Sequence, residues 1–246
     1  YTLRARSDDS TQPQFAEQPL IVTGDDVDDL VVVLAESATL GGTVQVEAMQ
    51  GASLDLTQVR VSAPMADGVE VGPASTARVG RDGRFTIEGV RPGAHLVRVA
   101  GNLRGWTLKS VQVDGRDVTD TPLEIRSGQS LGGLRLLFTD RLTEINGTVA
   151  DEGGTPSTDL TVLAFAVDED LWRPLSRHIA TARPDQNGRF QLRGLPAGDY
   201  FVALVDPEEQ GQWFEPAFLS SQRPRASRVS LVDGDVKTQD FTWPGR

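Results

Sequence analysis

The sequence predicts an all-β protein that consists of tandem β-sandwich modules repeating every ~105 residues. Three observations support this fold class: an internal repeat, apolar residues that alternate with polar ones, and turn residues at short, regular intervals. Alternation with a period of two puts one face of a strand in a core and the other face in solvent. Short strands separated by turns at a spacing of roughly ten residues are typical of a two-sheet sandwich.

The internal repeat is clearest in two nine-residue segments. Asp82–Val90 reads DGRFTIEGV, and Asn187–Leu195 reads NGRFQLRGL at an offset of 105 positions. The same offset relates Gly93 to Gly198. Agreement over this length without a gap indicates that one structural unit occurs twice in the chain.

Each copy of the repeat begins with a turn signal and continues as a strand. The Asp-Gly pair that ends at Gly83 and the Asn-Gly pair that ends at Gly188 predict tight hairpins with positive φ at both glycines. Phe85 and Ile87 then alternate with polar residues, as do their counterparts in the second copy. We predict a strand in each copy, and we expect helix only as a short turn around Glu215–Leu219.

The offset divides the chain into one partial module and two whole ones. The whole modules are residues 37–140 and residues 141–246. Residues 1–36 match the last part of a module, since Tyr1–Arg4 aligns with Trp106–Lys109 at an offset of 105. The sequence therefore predicts that residues 1–36 are the C-terminal strands of a preceding β-sandwich module.

The partial module should contribute strands near Pro19–Val22 and Asp29–Leu34. In the second of these, Leu30, Val32 and Leu34 occupy alternate positions, so they should face a core whose other half is missing. An apolar edge of this kind tends to pair with another strand, such as one from a neighbouring copy.

The two copies also share a longer pattern. Residues 82–99 and 187–204 closely follow D/N-G-x-F-x-I/L-x-G-L-x-P-G-x-Y-x-V, with His95 at the tyrosine position of the first copy and Tyr200 in the second. In this they resemble the carboxypeptidase regulatory-like family, whose fold is prealbumin-like (transthyretin-like) and Ig-like in outline. The resemblance implies tandem prealbumin-like/Ig-like β-sandwich modules of a large bacterial multi-module protein, located outside the cytoplasm. In metallocarboxypeptidases this module is an accessory domain and zinc belongs to a separate domain, so the resemblance implies no catalytic residue.

Charge and composition exclude several classes of partner. The formal net charge is −11 and the isoelectric point is about 4.7, so the chain repels phosphate backbones and we expect no nucleic-acid partner. No apolar run is longer than the six residues of Leu30–Ala35, which is far too short to span a bilayer. The chain has no cysteine, which excludes disulfides and thiolate chemistry.

The sequence contains no arrangement that is typical of an enzyme. It has two histidines, His95 and His178, and it lacks the zinc-protease, nucleophile-elbow and phosphate-loop motifs. His95 stands where the family has tyrosine, so we interpret it as a structural polar group, and we interpret His178 as an ordinary strand or loop residue. A zinc site would have to consist almost entirely of carboxylates. We predict no catalytic residue, no zinc site and no cofactor.

One acidic cluster is a candidate metal site. Asp25, Asp26, Asp28 and Asp29 place four carboxylates within five residues. Calcium takes about six to eight oxygen ligands, often from closely spaced carboxylates, although this spacing is not that of an EF-hand loop. The alternative, which we prefer, is a solvated turn between two strands.

Loop aromatics in the last module are the candidate binding residues. Trp172, Trp213 and Phe214 lie among polar residues in predicted loops that the preceding module lacks. A tryptophan on a sandwich loop can stack against a sugar ring or anchor a protein partner. The alternative is that these rings cover one open end of the sandwich and belong to its core.

These observations leave three functions open. The leading hypothesis is a non-catalytic structural or spacer segment of a secreted or surface-attached bacterial protein. Its partners would be neighbouring modules of the same chain, with self-association of copies as an open extension. The second hypothesis is a carbohydrate- or protein-binding module that uses Trp172 and Trp213. The third is an accessory domain of a peptidase whose catalytic domain lies outside these residues.

Overall fold

The regular structure is almost entirely β, which confirms the predicted fold class. The computed structural model describes residues 1–9, 12–24, 26–49 and 52–243. The α-helix among them, α1, comprises Pro216–Gln222 and coincides with the helical turn predicted from the sequence. Short 3-10 helices occur at Leu56–Gln58, Glu169–Leu171, Pro207–Gln212 and Arg223–Arg225. Within the described ranges, no helix has the length and apolar character needed to cross a membrane.

Strands follow one another along the described residues and are numbered in chain order. The first part of the chain contains β1 Thr2–Arg6, β2 Gln14–Pro19, β3 Ala35–Glu36, β4 Ala38–Glu47, β5 Val59–Ser62, β6 Thr76–Arg78, β7 Arg84–Val90, β8 Gly93–His95, β9 Arg98–Gly101, β10 Thr107–Val113, β11 Arg116–Asp117, β12 Leu123–Ile125 and β13 Ser130–Thr139. The remainder contains β14 Glu144–Asp151, β15 Thr161–Ala166, β16 Ile179–Ala182, β17 Arg189–Arg193, β18 Gly198–Val205, β19 Ser227–Leu231, β20 Val236–Thr238 and β21 Phe241–Trp243.

The chain folds as two compact units. The first comprises Tyr1–Glu47, Ser53–Arg104 and Leu108–Phe138, and the second consists mainly of residues 139–243. The division after Phe138 lies close to residue 140, the predicted end of the first whole module. Because residues 1–36 are grouped with the first unit, their assignment to a preceding module stays a prediction.

The first unit contains a five-stranded sheet in the order β11-β10-β13-β4-β7. Smaller sheets have the orders β1-β2-β3, β6-β5-β9 and β12-β8. In β7, Phe85 and Ile87 are buried while the residues between and beside them are exposed, as the alternation predicted. Leu40 of β4 and Leu136 of β13 are fully buried as well, so this sheet supplies much of the core of the unit.

The second unit contains two sheets that pack as a sandwich. One has the order β17-β14-β20, with β21 also paired to β14, and the other has the order β16-β15-β18-β19. β14 is antiparallel to β17 and parallel to β20 and β21. Side chains of both sheets, among them Ile145, Phe190 and Tyr200, form one hydrophobic core.

The two units repeat the same strand pairing at the offset found in the sequence. Gly42 is paired with Phe85 in the first unit, and Gly147 is paired with Phe190 in the second. Both members of the second pair lie 105 residues after their counterparts. The two copies of the sequence repeat therefore also pair their strands with equivalent residues opposite each other.

The hairpins that precede these strands are equivalent too. Gly83 and Gly188 have φ angles of +77° and +72°, which confirms the positive φ predicted for both. The Gly83 carbonyl accepts a 2.8 Å hydrogen bond from Val44 N, and the Gly188 carbonyl accepts a 2.8 Å bond from Val149 N. Each hairpin is thus tied to the strand beside it in the same way.

At the same repeat position in each unit, a buried polar side chain contacts a backbone carbonyl near one corner of the fold. His95 Nε2 lies 2.7 Å from the Arg91 carbonyl oxygen, and 105 residues later Tyr200 donates its hydroxyl to the Pro196 carbonyl at 2.8 Å. His95 Nδ1 also lies 2.7 Å from the carbonyl oxygen of Ala63. These contacts confirm the interpretation of His95 as a structural group in the tyrosine position.

In the second unit a second histidine extends this corner. His178 Nδ1 lies 2.9 Å from the Tyr200 hydroxyl, and the two rings are stacked with centroids 6.1 Å apart. Because Tyr200 donates its own proton to Pro196, His178 is the donor in the contact with Tyr200. His178 lies in the turn before β16, which agrees with its interpretation as a strand or loop residue, and it also belongs to a buried polar network that the sequence did not indicate.

We expect His95→Leu to lower the free energy of unfolding by about 2–3 kcal/mol, because the buried contacts of the imidazole ring with the carbonyl oxygens of Ala63 and Arg91 are lost. Tyr200→Phe is the matched change at the equivalent corner, and it should also cost about 2–3 kcal/mol, because the Pro196 carbonyl loses its donor and the His178 N–H loses its acceptor. Urea denaturation of the two variants and the wild type measures both values. A His95→Leu variant as stable as the wild type would contradict the structural role of this corner.

Residues 20–34 differ from the prediction. Residues 20–24 and 26–34 contain no strand, so the strands predicted in this stretch are wrong beyond the end of β2. Ile21 and Val33 are 84% and 78% exposed, and Leu34 is 40% exposed, whereas Leu30 and Val32 are half-buried. A run of apolar residues forms a strand only where a neighbouring strand and a core are available, and no described strand is paired with this segment.

The two units also differ at one edge of their equivalent sheets. In the first unit β13 lies between β4 and β10. In the second unit β20 and β21 occupy the corresponding place beside β14, but the residues at the offset of β10, 212–218, belong to the helical segment that includes α1. Within the described residues, no strand is paired with the outer edge of β20 or β21.

Candidate functional site

The sheet β16-β15-β18-β19 of the second unit is covered on both faces. Val162 and Ala164 of β15 belong to the core shared with β14 and β17, whereas Leu163 and Phe165 belong to a second hydrophobic cluster. Helix α1 contributes Leu219 to this second cluster. The unit therefore has an outer layer in addition to its sandwich, which explains why every residue of β15 is buried.

Two of the three candidate binding residues lie in this outer layer. Trp172 is 4% exposed and Trp213 is 7% exposed. The Trp172 indole N–H donates to the Ala166 carbonyl at 2.7 Å, and its ring meets Phe165 edge-on with centroids 5.6 Å apart. Neither tryptophan presents a ring face to a ligand. Their burial matches the alternative that these rings belong to the core of the module. They cover the face of a sheet, however, and not one end of the sandwich.

Phe214, the third candidate binding residue, is exposed to solvent. It follows Trp213 directly, ahead of helix α1, and its side chain is 41% exposed. A single exposed apolar side chain is common on protein surfaces and does not by itself mark a binding site. Of the three loop aromatics, only Phe214 can contact a partner without a rearrangement of the core.

The acidic turn of the first unit is exposed. Asp26, Asp28 and Asp29 are all solvent-accessible, and Asp29 has a φ of +57°. Asp25 lies outside the described residues. Elsewhere in the described chain, as in this turn, no group of three His, Asp or Glu side chains is placed to hold a metal ion. The calcium hypothesis therefore has no support from the geometry of the described aspartates.

A polar cleft of about 580 Å³ lies in the second unit. Its lining includes the acidic residues Asp151, Asp206 and Glu209, together with Arg225 and Trp243. Carboxylates and a guanidinium can hydrogen-bond to hydroxyl groups, and an indole can pack against the apolar face of a sugar. The sequence analysis did not single out this cleft, because its residues come from distant segments that only the fold brings together.

The charged side chains at the strand pairs of the second unit serve the fold. The pKa of the Glu144 carboxyl group lies below its ordinary value, chiefly because the Asn146 amide donates a 3.0 Å hydrogen bond to it, with Gln191 and Arg193 adding to the effect. Arg193 Nε lies 3.0 Å from the other carboxylate oxygen. Glu144 and Arg193 are directly paired between β14 and β17, so the shift is a consequence of strand pairing.

We expect Glu144→Gln to lower the melting temperature near pH 7 and to have a smaller effect as the pH falls. A depressed pKa means that the ionised carboxylate stabilises the fold. That contribution is present above the pKa of the unfolded chain and is lost as the pH falls through the lower pKa of the folded protein. Thermal unfolding of both proteins at about pH 7 and about pH 3 measures the difference. An equal difference at the two pH values would contradict this assignment.

Comparisons with known proteins find likenesses only among solved structures. No family model matches the chain, and no curated protein matches it. The TIE protein of Bacillus anthracis is 9% identical with a TM-score of 0.29, over 97% of this chain and 41% of that protein. The minor pilin GBS52 of Streptococcus agalactiae is 10% identical with a TM-score of 0.32, over 84% of this chain and 95% of that one. The shaft pilin SpaA of Lactobacillus rhamnosus GG is 10% identical with a TM-score of 0.31, over 84% and 96%.

The chain thus spans less than half the length of the TIE protein. At these identities and scores, none of the three likenesses carries a function over to this chain.

Proposed function

We propose that the chain is a non-catalytic structural segment, a spacer of repeated β-sandwich modules, in a longer protein that is secreted or attached to the cell surface. The observation that carries this proposal is the recurrence of one strand pairing, around Gly42 and around Gly147, at the offset of the sequence repeat. A unit repeated in tandem extends a protein without adding a new chemical site. The resemblance to the carboxypeptidase regulatory-like family supports the same role.

The placement of the reactive and aromatic side chains also supports a structural role. His95 contacts two backbone carbonyls in a buried corner, and His178 donates to Tyr200. Trp172 and Trp213 are buried in the outer layer. The side chains best suited to acid–base chemistry or to ring stacking are therefore used in packing. An accessory domain of a peptidase would have the same non-catalytic role and would differ only in its parent protein.

A spacer that bears load should unfold module by module. When the chain is pulled from its ends in single-molecule force spectroscopy, we expect two main unfolding events. The first unit should release about 140 residues and the second about 110, or about 48 nm and about 38 nm of chain at roughly 3.5 Å per residue. A single event that releases the whole chain would contradict the modular organisation, and extension without a force peak would contradict a load-bearing role.

A carbohydrate-binding role is the second candidate, because the polar cleft combines hydrogen-bonding side chains with Trp243. A glycan array probed with the wild-type chain, Trp243→Ala and Phe214→Ala distinguishes the two functions. Saturable binding of a glycan that is lost in Trp243→Ala would favour the binding module over the spacer.

A further inference from the structure

The chain contains the dipeptide Asn-Gly twice, at Asn146-Gly147 and at Asn187-Gly188. The backbone nitrogen that follows an asparagine can attack the carbon of the side-chain amide, and glycine leaves this attack unhindered because it has no Cβ. Asparagine is accordingly one of the thermolabile residues of proteins. The third asparagine of the chain, Asn102, precedes leucine, whose side chain hinders the same attack. The two Asn-Gly dipeptides are therefore the candidate positions for loss of a side-chain amide.

Asn187 lies in the turn before β17 and is exposed to solvent. Its backbone N–H donates to Asp185 Oδ1 at 2.8 Å, whereas its side-chain amide forms no hydrogen bond with a described residue. The Gly188 N–H donates to the Asp185 carbonyl at 2.8 Å. This bond closes a single exposed turn, so it can open without disturbing the sheet. Once it is open, the Asn187 side chain can approach the Gly188 nitrogen.

Asn146 has the same neighbour but lies inside strand β14. Its Nδ2 donates to Glu144 Oε1 at 3.0 Å, and its Oδ1 accepts a 3.0 Å hydrogen bond from the Thr238 hydroxyl. Gly147 is paired with Phe190 of β17. Attack by the Gly147 nitrogen would require that both side-chain bonds break and that the strand leave the sheet. The fold therefore protects one of the two dipeptides and leaves the other accessible.

The first copy of the repeat carries the residue that deamidation would produce. Asp82 stands 105 residues before Asn187, and the glycines that follow them, Gly83 and Gly188, have φ angles of +77° and +72°. Asp82 Oδ1 accepts a 3.1 Å hydrogen bond from Arg84 N within its own hairpin. A hairpin of this kind is therefore compatible with aspartate at the position of Asn187.

We propose that Asn187 is a site of spontaneous deamidation in the folded chain. The Gly188 backbone nitrogen bonds to Asn187 Cγ, the bond between Cγ and Nδ2 breaks, and the amide leaves as ammonia with the proton of the Gly188 nitrogen. Water then opens the cyclic imide. Opening of the bond to Cγ gives aspartate, and opening of the bond to the main-chain carbonyl carbon gives isoaspartate. The reaction needs no reactant other than water.

The two products should affect the second unit differently. Isoaspartate adds a methylene group to the main chain directly before Gly188, whose carbonyl accepts a 2.8 Å hydrogen bond from Val149 N. This product should therefore loosen the hairpin from β14, whereas aspartate should preserve it. Both products add a negative charge at the turn. The inference is independent of the proposed spacer role and goes beyond it.

Incubation of the folded chain at mildly alkaline pH, followed by peptide mapping with mass spectrometry, tests the inference. The amide at Asn187 should be lost at least about tenfold faster than that at Asn146, because a sheet opens far less often than an exposed turn. In the chain unfolded by guanidinium neither asparagine has a fixed structure, so both should lose their amides at similar rates. Asn187→Gln is the matched control, since it keeps an amide whose carbon lies one bond farther from the main chain, and it should retain that amide.

Ion-exchange chromatography of the aged chain separates the products, and amide hydrogen exchange then compares them with Asn187→Asp. The Val149 amide should exchange faster in the isoaspartate form than in Asn187→Asp. Retention of the Asn187 amide in the folded chain while the unfolded chain loses it would overturn the inference. Equal rates at Asn187 and Asn146 in the folded chain would overturn it as well. The force experiment on the fresh chain tests the spacer proposal separately.

Discussion

Replacement of Trp172 by alanine should lower the free energy of unfolding of the second unit by about 3–5 kcal/mol. The ring is 4% exposed, it meets Phe165 edge-on, and its N–H donates to the Ala166 carbonyl. The substitution removes all of these contacts and leaves a cavity in the outer layer of the unit. For a domain of roughly 100 residues, each kcal/mol shifts the melting temperature by about 4 °C, so the second unit should melt more than about 10 °C lower.

Phe214→Ala is the matched control, because Phe214 is an aromatic residue of the same segment with 41% exposure. It should cost less than about 1 kcal/mol, as surface substitutions generally do. The Trp213 indole N–H is buried without an acceptor among the described residues, so Trp213→Phe should be less destabilising than Trp172→Phe. Equal melting temperatures of Trp172→Ala and Phe214→Ala would show that Trp172 is not a core residue. Trp172 would then again be a candidate for stacking against a ligand.

Substitution of Gly42 or Gly147 by alanine should destabilise the unit concerned by about 3 kcal/mol, at the upper end of the cost of overpacking. A Cβ at Gly42 would overlap the carbonyl oxygen of Leu134, and a Cβ at Gly147 would overlap that of Gln239. Both obstacles are backbone atoms, one in β13 and the other between β20 and β21, so they can move only if the neighbouring segment moves away. Glycine is required at these two positions because two backbones approach closely there.

Gly41→Ala provides the control for Gly42→Ala, since a Cβ at Gly41 would lie 3.9 Å from its nearest neighbour, the carbonyl oxygen of Phe85. This is ordinary van der Waals contact, and the substitution should be close to neutral. Urea denaturation of the two variants compares adjacent positions of the same strand. Equal stability of Gly41→Ala and Gly42→Ala would show that the strands do not approach as closely as the structure has them.

The repeat and its strands could be predicted from the sequence because their determinants are local. The turn glycines, Gly83 and Gly188, specify hairpins by their own backbone preference, and Phe85 shows its inward orientation through its immediate neighbours. The strand predicted at Asp29–Leu34 is absent although Leu30–Leu34 are all apolar. Whether such a segment pairs depends on a partner from another part of the chain, and the sequence of the segment contains no information about that partner.

The candidate site depended still more on long-range packing. Trp172 and Trp213 lie among polar residues in the sequence, and their burial results from an outer layer against a sheet that is apolar on both faces. One signal could have indicated this layer. Thr161–Ala166 reads TVLAFA, a nearly continuous apolar run, and such a strand is typically covered on both sides. The polar cleft had no comparable signal, since its lining comes from separate segments.

Amide hydrogen exchange of the dilute, monomeric chain tests most directly the central claim, that the second unit repeats the first and leaves its β10 position open. The account predicts strong protection of Val44 and Val149, whose N–H groups bond to the hairpin glycines, and of Gln239, which bonds to Asn146. Thr242, on the outer edge, should exchange rapidly. A Thr242 amide as protected as that of Gln239, or an unprotected Val149 beside a protected Val44, would contradict the account.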